Sequence, residues 1–398
     1  MKITDIKCAV IASSPVIRIT TDEGITGWSQ IETPKPYLQP VVLQLKSWLV
    51  GQDPVNVERV MRRIRARGGF KPWGAAVSAI EMALWDIAGK AAGLPVYRLL
   101  GGKVRDQVRT YRTLYHPPEA KHTVEDYVRW AEVAKALPEK FGMFKLPTSF
   151  HSSMVRDVPE FFYGDVQADA PFPYPNRGLM TEAAFDHLVE CVTAAKQTLG
   201  KGYGLAVDAG PGYLAHDALG FAKALEPLHL LWVEDMITGD YSPFVNPDVY
   251  REVTARTTTP IHTGEQIYLR QNFKALIESH AVNVIGPDPC DVGGIAELKW
   301  IAEYADLHGI AMAPHGTANG IFGLAALIQV CATLPDNLIA FEYPARFEPF
   351  WYEITEGFDG VPVRDGLIDV PDRPGMGVEL IPEAARAYLS EGDADFFD

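Results

Sequence analysis

The sequence predicts an α/β protein in which a parallel β/α barrel follows a small α+β domain. Three observations lead there. From about residue 108 onward, apolar strands alternate with amphipathic helices until eight strands have passed. Polar residues interrupt these strands at their C-terminal ends, about once per unit. No Gly-rich phosphate loop follows an early strand, which counts against the rival open doubly wound sheet.

The chain opens with two alternating strands, DIKCAVIAS and VIRITTDEG, joined by little more than SP. Helical patterns follow at 38–50, 54–66 and 75–92, so this part reads as α+β. The texture then changes. VRTYRTLY leads to a helix over 123–139, GMFKLP to 181–199, YGLAVDAG to 215–226 and LLWVEDM to 247–256. PIHTGEQ leads to 270–279, VNVIGPD to 293–308 and IAMAPHG to 320–333, and LIAFEYP ends the series.

Bulk properties narrow the function classes. A chain of 398 residues suits one large barrel plus a smaller companion domain. With 47% hydrophobic and 22% charged residues it has the composition of a soluble globular protein. The net charge of -15, with no basic face, argues against nucleic acid as a partner. No stretch reaches the roughly 20 apolar residues that span a bilayer, so no membrane role is expected. The start MKITDIKCAVI lacks the apolar core and cleavage site of a signal peptide, and Cys8, Cys191, Cys290 and Cys331 are scattered. Reduced thiols in a cytoplasmic protein are the simplest account.

The strand-end polar residues are His116, Lys145, Asp208, Glu234, Glu265, Asp288, His315 and Glu342, separated by 29, 63, 26, 31, 23, 27 and 27 residues. One β/α unit needs about 25–30 residues, and barrel active sites form on the face where these ends lie. The gap of 63 marks an insertion of about thirty residues, roughly 148–180, after Lys145.

Asp208, Glu234 and Glu265 end consecutive strands, which would crowd three negative charges into one volume. Such charges need a cation, and three hard oxygen donors favour Mg²⁺ over zinc. Asp235 has the opposite strand parity to Glu234, and Asp240 lies well into the loop, so neither is the expected ligand. Asp288 and His315 end the next two strands, which in a parallel sheet lie about 4.8 Å apart. A carboxylate on one imidazole nitrogen fixes the tautomer and raises the basicity of the other, making His315 a candidate general base. His262 has the wrong parity relative to Glu265 and reads as structural, while His116 and His151 stay open.

AVSAIEMALWDIAGKAAGLPVYRLLGG, residues 76–102, resembles the N-terminal signature of the mandelate racemase and muconate-lactonizing subgroups of the enolase superfamily. VDAG, VED, TGEQ, GPDPCDVGGI, APHG and FEYP follow in the family's order, and DGLIDVPDRPGMGVEL resembles its C-terminal ending. The resemblance covers essentially the whole chain. It implies a (β/α)7β barrel at 111–369 under an α+β capping domain at 1–110, with 370–398 packing back on the cap. It also implies Mg²⁺ on Asp208, Glu234 and Glu265, the Asp288–His315 dyad, Glu342 near the substrate, and a homo-oligomer.

Removing a proton beside a carboxylate builds a dianion, so fixed positive charge must wait where the new charge appears. Lys145 is placed to share a carboxylate oxygen with the metal, as an electrophile. Racemases of this family resemble a Lys-x-Lys pattern, whereas this chain has Lys145-Leu146-Pro147, and proline moves no proton. The expectation is therefore a Mg²⁺-dependent dehydratase of an aldonate or aldarate, giving a 2-keto-3-deoxy acid through His315. The alternatives are a racemase, epimerase or cycloisomerase with a second base in the insertion, and a non-catalytic ligand-binding or regulatory barrel.

In the family that this chain resembles, a loop between the first two cap strands closes over the substrate; here that loop is almost absent, so the insertion is the expected replacement. It carries His151, Arg156, Tyr163 and Arg177. Arg156 and Tyr163 are candidate substrate contacts, with an oligomer-contact loop as the equal alternative. RARGGFKPW, residues 65–73, is a second candidate rim.

Overall fold

The computed structural model describes all residues except 33–34, 68–73, 115, 118, 165–179, 238–244, 317–319 and 345–347. Arg177, Asp240 and most of the 65–73 rim therefore lie outside the described residues.

Alternating apolar residues fold the N-terminus into an antiparallel sheet of β1 (Ile3–Ile11), β2 (Ser14–Thr21) and β3 (Thr26–Gln30). The third strand, TGWSQ, is too short for its alternation to stand out in the sequence. The helix expected at 38–50 is broken into Gln39–Gln44 and Lys46–Leu49, because Leu45 N–H bonds back three residues to Val42 O at 3.1 Å.

Helix Ala75–Ala92 packs on this sheet and is buried nearly all round. Gly93, at φ 65°, ends it, and Leu94 N–H reaches back to Gly89 O at 2.9 Å, satisfying carbonyls the helix leaves open. The same helix ties the cap to the barrel. Glu81 accepts from Ile295 N–H at 2.8 Å and Ala296 N–H at 3.0 Å, so it caps the barrel helix Ile295–Leu307. Gly294 is required there: a Cβ would sit 1.9 Å from Glu81 Oε2.

Eight parallel strands follow: β4 (Gln107–Thr113), β5 (Met143–Pro147), β6 (Gly204–Asp208), β7 (Val233–Glu234), β8 (Ile261–Thr263), β9 (Val284–Ile285), β10 (Ala311–Met312) and β11 (Phe341–Tyr343). Their order is β10-β9-β8-β7-β6-β5-β4-β11. The sheet closes through a Met312–Leu338 bridge and a bond from Glu342 N–H to Pro314 O at 2.9 Å. Helices Val124–Lys135, Glu182–Leu199, Ala215–Ala224, Pro247–Thr254, Arg270–Glu278, Ile295–Leu307 and Gly320–Cys331 fill the intervals. This is the (β/α)7β arrangement that the alternation and the resemblance predict. Thr123 and Asp126 start the first of these helices with a reciprocal capping box.

The first barrel strand begins at Gln107, a few residues before 111. Near the C-terminus, Leu367–Asp369 pairs antiparallel with β4. Beyond it the tail reaches the cap: Arg18 donates to Phe396 O at 2.8 Å, Gln39 donates to Asp393 at 2.7 Å, and Phe396 meets the Trp28 ring edge-on. Among the described residues, no helix is long and apolar enough to cross a membrane.

Candidate active site

Strand register stacks the site residues in layers at the C-terminal mouth of the barrel. Thr113 and Lys145 are level, while Asp208 is level with Glu234 one layer above. Lys145 rises into this layer and is almost wholly buried. Its ammonium lies 2.8 Å from Glu234 Oε1, 3.4 Å from Asp208 Oδ2 and 3.4 Å from Glu342 Oε2. Burial alone would lower its pKa, but Glu234 and Glu342 outweigh burial and hold it well above the ordinary lysine value. Lys145 is thus a permanent cation with three acidic partners.

Across the mouth, His315 Nδ1 contacts Asp288 Oδ2 at 2.6 Å. Its Nε2 faces the other way, 3.5 Å from Glu265 Oε2 and 3.6 Å from Glu342 Oε2. Burial pulls the imidazole pKa down, yet Glu265, Glu342 and Asp288 together raise it well above the ordinary value. Asp288 is fixed by Cys290 N–H, which donates to its Oδ1 at 2.6 Å. Glu342 bridges the two halves, accepting from Thr113 Oγ1 on one oxygen and from Gly316 N–H at 3.4 Å on the other.

The ladder of strand-end residues thus converges, with one exception: His116 turns away. Its Nε2 lies 2.7 Å from Pro147 O and its ring packs 3.8 Å from Trp130, where burial lowers its pKa to about 3. His151 moves the other way, from the insertion to within 3.6 Å of Asp208 Oδ1. Gly210 makes room for it: its φ is 66°, and a Cβ would lie 2.6 Å from His151 N.

Sequence parity misplaces two residues. Glu234, Asp235 and Glu265 can bring ligand oxygens within 4.8 Å of one another, so Asp235 joins the acidic cluster. Its φ of 53° takes it off the strand, where alternation no longer governs direction. Thr263 Oγ1 donates to Asp235 at 2.6 Å. Asp208 instead faces Lys145 and His151. His262 lies beneath Glu234, with Nδ1 3.5 Å from Glu234 Oε2 and its ring stacked on Trp232. Gly264, at φ 145°, breaks the parity count between His262 and Glu265. Buried His262 Nδ1 makes no hydrogen bond among the described residues. Trp232 donates to Glu234 Oε2 at 2.8 Å; its position two residues earlier on the same strand face was a readable signal.

Among the described residues, Arg156 and Tyr163 are not drawn to this cluster. Arg156 forks onto its neighbour Asp157, at 2.8 and 3.2 Å. Tyr163 is 66% exposed and lines a separate cavity of about 390 Å³ with Phe150, Phe185, Tyr213 and His216.

Residues 131–384 match the family described as enolase C-terminal domain-like, and residues 5–101 match the mandelate racemase / muconate lactonizing enzyme N-terminal domain. The chain belongs to the mandelate racemase/muconate lactonizing enzyme family. Within that family, a D-xylonate dehydratase of Haloferax volcanii is 30% identical over 99% of this chain and 90% of its own length. A D-galactonate dehydratase of Variovorax paradoxus is 30% identical, covering 92% and 88%. A mandelate racemase/muconate lactonizing enzyme-like protein of Rubrobacter xylanophilus superposes with a TM-score of 0.84 at 30% identity, covering 98% of both chains.

Proposed function

We infer that this chain is a sugar-acid dehydratase that removes the proton α to a carboxylate and expels the β-hydroxyl, leaving a 2-keto-3-deoxy acid. One observation carries the reading: a buried Asp288–His315 dyad faces a buried lysine across a mouth lined with carboxylates. The dehydratase relatives, aligned over nearly the whole chain, support it.

The donor set fits a divalent cation. Glu234, Asp235 and Glu265 offer hard oxygens in one small volume, and Asp208 is level with Glu234 on the neighbouring strand. Three or more carboxylates, with no thiolate among them in the described residues, suit Mg²⁺. We assign Asp208, Glu234 and Glu265 as its holders, with Asp235 in reach. When bound, the ion supplies positive charge to the substrate carboxylate and so lowers the cost of the dianion formed at that end.

The protein's own groups do the rest. Lys145 offers a fixed ammonium to the same carboxylate, and burial keeps that interaction strong. His315 Nε2 takes the α-proton, while Asp288 holds Nδ1 and fixes the ring. In the protein alone, Glu265, Glu342 and Asp288 favour the protonated ring. With a cation held at Glu265, one of these attractions would be offset, and His315 would be favoured in the neutral form that a base requires. After proton removal, the same Nε2–H can be handed to the departing hydroxyl. Pro147 stands where a second lysine base would sit in a two-lysine racemase, which favours this one-base route.

The test is a screen of aldonates and aldarates with Mg²⁺, scored for semicarbazide-reactive keto acids. Product from at least one acid sugar is expected. No product from any of them, together with racemisation of another α-substituted acid, overturns the reading.

A further inference from the structure

Beside the dyad, on the cap side, lies an ionic cluster that this chemistry does not use. Lys35, in the segment after β3, contacts Glu32 and lies 3.5 Å from Asp291 Oδ2. Asp291 belongs to the turn that holds the dyad. Its N–H and that of Val292 donate to Asp288 O at 3.1 and 2.8 Å. Neither side-chain oxygen of Asp291 accepts a hydrogen bond among the described residues, although the side chain is only 1% exposed. Lys35 and Glu32 keep 21% and 10% of their side-chain surface, so they form the cluster's open side.

The charges are unequal. Burial pushes the Asp291 carboxyl well above the usual range, toward its neutral form. Burial acts the same way on Glu32, but the Lys35 ammonium outweighs it and keeps Glu32 ionised. The Glu32 charge is felt by both His315 and Asp288. A second anion arriving here would meet a cation already neutralised and a like charge beside it. Hydroxyl groups, by contrast, find acceptors on Glu32 and Asp291 and donors on Lys35.

We propose that Glu32 and Lys35 are specificity-determining residues that select a substrate with one carboxylate and a neutral, hydroxylated tail, an aldonate, over an aldarate with a carboxylate at each end. The proposal rests on the dehydratase reading. Like-charge juxtaposition at a partly buried site discriminates by about tenfold or more.

The probes are aldonates, D-xylonate and D-galactonate among them, each compared with the aldarate in which the terminal hydroxymethyl is a carboxylate. With Mg²⁺ present, kcat/KM should favour the aldonate by about tenfold or more. Glu32→Gln should shrink that preference about tenfold, mainly through KM for the aldarate, and Lys35→Gln should widen it. Opposite signs distinguish selection from misfolding, which lowers turnover of both acids in parallel. Equal kcat/KM for the two acids in the unaltered protein, or parallel changes in both variants, overturns the selection and leaves the dehydratase reading standing. Absence of keto acid from both classes removes that reading and the selection with it.

Discussion

Replacing His315 by Asn separates proton transfer from binding. The Asn amide can still donate toward Asp288, replacing the 2.6 Å contact made by Nδ1, but it has no counterpart to Nε2. Lys145 and the acidic cluster keep their places, because neither depends on the imidazole for its main contacts. General-base catalysis is worth about 10²–10⁴-fold, or about 3–5 kcal/mol of barrier. Turnover of an acid sugar should fall by that factor, while KM changes by less than about threefold. Keto-acid release gives the rate, and exchange of the α-proton in deuterium oxide gives the proton-transfer step, so both should fall together. Exchange or turnover within tenfold of the unaltered protein, or a raised KM at constant kcat, would refute the assignment of His315.

Other perturbations probe other parts. Lys145→Met removes the cation shared by Glu234, Asp208 and Glu342 and should cost about 3–5 kcal/mol of stability in metal-free protein. It should also cost at least about 10²-fold in turnover, and thermal unfolding with a rate assay would show whether both losses occur. Glu81→Ala strips acceptors from Ile295 N–H, Ala296 N–H and the Trp85 indole, which should cost about 2–4 kcal/mol in urea unfolding with no change in substrate preference. His116 and His122 are buried with pKa values lowered to about 3 and about 4, chiefly by burial. The unfolded chain binds protons there first, so stability is present above about pH 6.5 and is lost as pH falls toward 4. The expected slope approaches about 1.4 kcal/mol per pH unit for each ring. A His116→Phe variant should show a shallower acid limb in denaturation measured across that range.

The barrel was legible because each unit repeats a strand, a polar strand end and a helix at nearly constant spacing. That periodicity also places Lys145, Asp208, Glu234, Glu265, Asp288, His315 and Glu342 at one end of the barrel. It failed where the backbone leaves regular geometry. Asp235 has a left-handed φ and Gly264 an unusual one, so strand parity gave the wrong direction for Asp235 and could not place His262 under Glu234. His116 was in phase but belongs to an aromatic cluster with Trp130, Tyr127 and His122, which local spacing cannot reveal. The Glu32–Lys35–Asp291 cluster joins residues more than 250 positions apart, and no one-dimensional pattern brings them together.

The most direct measurement is the reaction of an acid-sugar substrate with Mg²⁺ in deuterium oxide, followed by NMR. Elimination through the dyad predicts a 2-keto-3-deoxy product carrying one solvent deuteron at C3, with unreacted substrate keeping its configuration at C2. Substrate that gains deuterium at C2 or appears as its C2 epimer, with no keto acid formed, would contradict the account.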